Sequence, residues 1–180
     1  MTITAEERGY VIALTVGMFN ASPGGYLPAL TAAYEDNGHS LAQLAVTLAQ
    51  TPLFAALAPP SQTAAEFASF FLTPLGLQND GLALDFVTAR FAAGVSKGQI
   101  IYEALVALEQ TSATAYLGAR EILNNKTAVA SYHSVTKGLG DLDLAALQRV
   151  LLPVTQEASS VIAAEAVLDA QGAVSPPPPP

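Results

Sequence analysis

The side chains able to do chemistry are few and far apart. Histidine occurs at His39 and His133 only, and an imidazole metal site needs two or more at helical or loop spacing. His39 lies in a Gly38–Ser40 turn, which suggests an exposed or turn-stabilising role. His133 follows Tyr132 on a helical stretch, which suggests an interface or surface. Carboxylates adjoin at Glu6-Glu7, Glu35-Asp36 and Asp141-Leu142-Asp143. None fits a calcium loop, where oxygen ligands alternate and a Glu stands twelfth. Glu6 and Glu7 suit a first helical turn, where they complement the helix dipole, and Asp141 and Asp143 suit a helix cap. Cysteine is absent, which removes thiol catalysis, disulfides and thiolate metal sites. The sequence holds no nucleophile elbow, phosphate-binding glycine loop or dinucleotide fingerprint. A non-enzymatic chain is expected, with no catalytic residue, no metal site and no cofactor of its own.

The most distinctive segment runs from Asn124 to Thr136, mixing amides, hydroxyls, Lys126 and the Tyr132-His133 pair, with Arg120 and Lys137 nearby. An aromatic platform beside amide and basic donors suits sugar hydroxyls and acids. Lys126, Tyr132, His133 and Lys137 are therefore the expected contact face; the competing reading is a plain polar helix surface. Phe67, Phe70, Phe71 and Phe86 recur at helical spacing and read as core.

The elements that must position these residues read as helices almost throughout. Thr4 with Glu7, Ser40 with Gln43, Thr63 with Glu66 and Ser96 with Gln99 all have capping-box spacing. Leu41, Leu44, Ala45 and Leu48 fall at i, i+3, i+4 and i+7, one face of a helix. Thr51-Pro52 opens a short helix and Pro59-Pro60 closes it. A longer stretch runs from Thr111 to Thr136 with a break expected at Asn124-Asn125. Leu144, Leu147 and Leu151 form a stripe before Pro153, and a last helix is expected from about Thr155 to Asp169. Gly25, Gly38, Ser40 and Gln43 match Gly81, Gly94, Ser96 and Gln99 at one offset. That is an internal repeat of two helical hairpins sharing a core. The fold class is all-α: a multi-helix bundle over residues 1–172, followed by a proline-rich linker, 173–180, to a further region.

Bulk properties narrow the partners. The chain has 180 residues, 51% apolar and 12% charged, with a net charge of −8. Its seven Lys and Arg are dispersed, so the basic patch that nucleic acid requires is missing. No window has the roughly 18 apolar residues of a membrane span. The N-terminus places two Glu ahead of Arg8, unlike a cleaved export signal.

The stretch Glu121–Thr136, with its Asn-Lys, Val, Tyr and Val-Thr, resembles a segment of large bacterial repeats-in-toxin (RTX) proteins. Val154–Val161 looks like its continuation, and the two repeat units are similar to helical repeats placed ahead of RTX calcium-binding regions. The resemblance implies type I secretion by an uncleaved C-terminal signal and a place on the cell surface. It also implies an α-helical N-terminal domain of a surface-layer protein or adhesin that holds lipopolysaccharide or outer-membrane polysaccharide and forms homo-oligomers. The Gly-Gly-x-Gly-x-Asp repeats are absent here, so Ca2+ is expected only beyond the linker. The rival readings are a structural subunit of an extracellular filament or sheet, and an accessory domain of a secreted hydrolase.

Overall fold

The computed structural model describes residues 2–172, so the linker expected at 173–180 lies outside the described residues. The described residues form ten α-helices and no strand; the all-α bundle expected from the sequence is the fold. In order they are α1 (Ala5–Phe19), α2 (Leu27–Asp36), α3 (Leu41–Ala49), α4 (Pro52–Leu57) and α5 (Ala64–Leu72). There follow α6 (Gly81–Ala92), α7 (Lys97–Gln110), α8 (Thr114–Ser131), α9 (Leu144–Leu151) and α10 (Ala158–Gly172). Tyr132–Thr136 extends α8 by a π-helical turn.

Local chemistry sets most of the helix starts. Thr4 with Glu7 and Thr63 with Glu66 form complete capping boxes, hydroxyl and carboxylate each taking one free amide. At Ser40 and Ser96 only half of the box forms: each hydroxyl accepts from the Gln43 or Gln99 amide. The Gln99 side chain donates to Glu103 instead of turning back. The break expected at Asn124-Asn125 does not occur, and α8 runs through it. Asn125 turns its amide outward to the Thr155 carbonyl, so it does not compete for its own helix's backbone.

The repeat is real in three dimensions. Gly38 and Gly94 both end their helices with positive φ, +66° and +78°, a conformation that glycine adopts without steric cost. Helices α3 and α7, the second of each hairpin, make the most extensive helix pair in the molecule. A Cβ at Gly98 would lie 2.2 Å from the Ala45 carbonyl oxygen, so the backbones touch there. Pro52 divides α3 from α4, whereas its counterpart Leu108 lets α7 continue unbroken. Around this pair the core takes in Phe54, Phe67, Ile100 and Ile101, all essentially solvent-free. Each such side chain contributes roughly 1.5–3 kcal/mol of burial. Helix α8 packs against α1, α9 and α10.

Candidate functional site

The π-helical turn and the inner stripe of α8 divide the four expected contact residues into two pairs. Ala119, Leu123, Lys126, Ala130 and His133 recur at helical spacing and are all buried. Lys126, 6% exposed, donates from Nζ to Asn20 Oδ1 at 2.8 Å and to the Pro74 carbonyl at 3.0 Å. Loss of hydration pushes its pKa down to about 8. Asn20 is the left-handed residue that ends α1, so the ammonium pins that helix end to the turn after α5.

His133 does similar work one step along. Its Nδ1 lies 2.8 Å from Ser22 Oγ, and Ser134 Oγ is 2.8 Å from the same hydroxyl and accepts from the Gly24 amide. Burial lowers the His133 pKa, and the nearby Asp141 charge partly opposes that. A serine–imidazole pair invites a nucleophilic reading. Here Ser22 and His133 are each about 1% exposed, and the adjacent Ser22 and Gly24 amides are committed to Leu147 O and Ser134 Oγ. The pair clips the α1–α2 loop onto α8.

Tyr132 and Lys137 point the other way. The Tyr132 hydroxyl donates to Asp169 Oδ1 at 2.7 Å, and Lys137 Nζ lies 3.0 Å from the same oxygen. Those two donors, Tyr132 foremost, hold the Asp169 carboxyl below its usual range. Lys126 and His133 thus face the interior, while Tyr132 and Lys137 form a clasp holding α10. No single solvent-facing patch unites the four. The other histidine, His39, sits at φ +59° in the α2–α3 turn, with Nδ1 2.8 Å from Glu7 Oε1 and its ring edge-on to Tyr34.

The mixed-chemistry opening lies on a different face of α8. A groove of about 280 Å³ runs between α1, α7 and α8. The first two helices close tightly at Gly17, where a Cβ would strike Leu105, and they part toward Gly9, where it would meet open space. Leu14 and Leu123 lie at the base; Tyr10, Tyr102, Glu6, Glu109, Arg120 and Asn124 supply polar atoms and rings. The Tyr10 hydroxyl donates to Glu6 at 2.6 Å, and that bond, then the Glu6 charge, raises its pKa. Arg120 keeps one donor on the Thr111 carbonyl, and among the described residues no carboxylate lies within ion-pair distance of it. Two tyrosine rings, two carboxylates, a guanidinium and an amide can together hold a hydroxyl-rich molecule. Of the groove's residues, Asn124 and Thr127 belong to the segment singled out from the sequence, and Arg120 and Leu123 adjoin it. The rest come from three helices, and only the tyrosines on α1 and α7 interrupt otherwise apolar stripes as a signal.

Among the described residues no cluster of potential metal ligands occurs, and no helix is long and apolar enough to cross a membrane. No family model, curated protein or solved structure matches the chain.

Proposed function

We propose that this chain is a non-catalytic attachment and assembly module at the bacterial cell surface. In this reading it belongs to a type I secreted protein of the RTX surface-layer or adhesin kind and grips outer-membrane polysaccharide. The observation that carries the proposal is the groove between α1, α7 and α8, with Tyr10 and Tyr102 beside Glu6, Glu109, Arg120 and Asn124. Sugar hydroxyls donate well to carboxylates, and sugar ring faces pack on tyrosine. Phosphate groups would meet Glu6 and Glu109 on a chain already at −8, so neutral saccharide units are the favoured ligand. Tyr102→Ala combined with Glu109→Ala should weaken pull-down by smooth lipopolysaccharide at least tenfold while the helical signal is kept. Unchanged capture, or equal capture by lipopolysaccharide lacking its outer polysaccharide, refutes the assignment.

The rival reading, a subunit of a sheet or filament, is favoured by one surface. Helix α10 turns Ile162, Ala163, Ala166 and Val167 to solvent, Ile162 with 70% exposure. Concentration-dependent light scattering that Ile162→Asp abolishes would favour it over glycan binding.

A further inference from the structure

The internal repeat duplicates a cleft. One apolar cleft of about 470 Å³ lies in the first unit, among α1, α2 and the α3–α4 corner. A second, of about 270 Å³, lies in the second unit among α5, α6 and α7. They stand in the same register: Phe19, Tyr26 and Leu30 line the first, and their repeat counterparts Leu75, Leu82 and Phe86 line the second. The repeat therefore reaches back to α1 and α5, beyond the hairpins recognisable in the sequence.

The two clefts differ in what lies over them. In the first unit the segment leading into α9 straps the rim: the Tyr26 hydroxyl donates to the Leu142 carbonyl, and the Gly25 amide donates to the Asp141 carbonyl. Helix α9 then sends Leu144 and Leu147 into the cleft wall, one turn apart on its apolar face. In the second unit Tyr116 closes one corner by bonding Asp80. Nothing among the described residues replaces α9. Leu82, the counterpart of the strapped Tyr26, is 74% exposed.

We propose that the second cleft docks an amphipathic helix from a partner protein, presenting leucines at i and i+3 as α9 presents Leu144 and Leu147. The chain's own use of the same surface indicates the occupant: in the first unit a leucine-bearing helix, α9, supplies one wall of the cleft of this register. Helix-in-groove recognition works by such anchors. The lining carries no ionised side chain, so the selectivity resides in leucine spacing and shape. The proposal stands apart from glycan binding, because the α1–α7–α8 groove shares no lining residue with this cleft.

The probe is a labelled peptide of residues 141–153, titrated into the whole chain by fluorescence anisotropy. Saturable binding is expected, weakened at least tenfold by Leu82→Asp and untouched by Leu152→Asp, an equally exposed leucine outside the cleft. A peptide with alanine at both Leu144 and Leu147 should not bind. Because Leu82 is largely solvent-facing, its replacement should leave the helical signal and melting temperature near wild type. No saturation up to about 1 mM peptide, or equal affinity for the Leu82→Asp chain, overturns the proposal. So does self-association of the chain that Leu82→Asp abolishes, since the occupant would then be a second copy.

Discussion

Lys126 sits where a leucine would be the simpler choice, on the buried stripe of α8, and its ammonium is met only by an amide oxygen and a carbonyl. Lys97 repeats the arrangement, donating to the Ala58 and Pro59 carbonyls and Gln62 Oε1 beneath the rings of Phe67 and Phe91. Both lysines hold a loop to a helix by charge-assisted bonds to neutral oxygens. The cost is desolvation, and it has a pH signature. Folding lowers the Lys126 pKa from its ordinary 10.5 to about 8. Between those values the unfolded chain binds more protons than the folded one, so stability rises with pH across that window. The full gain is roughly 3 kcal/mol. Urea midpoints measured at pH 7 and pH 9.5 should therefore diverge upward in the wild type. In Lys126→Met the Lys126 share of that rise should vanish; an unchanged slope would mean the ammonium is better solvated than its burial implies.

The π-helical turn after α8 decides which way each side chain of Tyr132–Thr136 faces, since its extra residue shifts the helical register. His133 enters the core and Tyr132 reaches Asp169 on α10. Asp169→Asn should loosen α10 without unfolding the bundle, because solvent screens an exposed cluster of this kind and leaves it a small share of global stability. Faster hydrogen exchange confined to α10 is the expected reading, with the global unfolding midpoint nearly constant. Elements such as these mark the boundary of what the sequence discloses. Caps, breaks and apolar stripes depend on neighbours within four residues, so helix order and the repeat are legible from Thr4 to Leu151. The inward course of Lys126 and His133 is legible in their i+3 spacing from Leu123 and Ala130, although their polarity points outward. The groove was not, because Tyr10, Tyr102 and Arg120 meet only after α1, α7 and α8 pack.

At the scale of the whole molecule, stability rests on how closely the two repeat units approach through α3 and α7. Backbone contact at Gly98 sets that distance. A methyl group there would have to overlap the Ala45 carbonyl at 2.2 Å and press on Ala49 at 3.0 Å. The first obstacle is backbone, which cannot swing aside as a side chain could, so the two helices must separate. Separation would open voids around Leu44 and Ile100, both solvent-free in the native packing, and such loss costs about 2–4 kcal/mol. Gly98→Ala adds helix propensity worth up to roughly 1 kcal/mol, which offsets only part of this. Gly81, at the start of α6, provides the control: a Cβ there meets nothing within 4 Å, so Gly81→Ala should be neutral or stabilising by about 0.4–1 kcal/mol. Chemical denaturation should find the midpoint of Gly98→Ala lowered and that of Gly81→Ala unchanged or raised. If Gly98→Ala were as stable as wild type, the α3–α7 contact would be slack and the two units would not share one core.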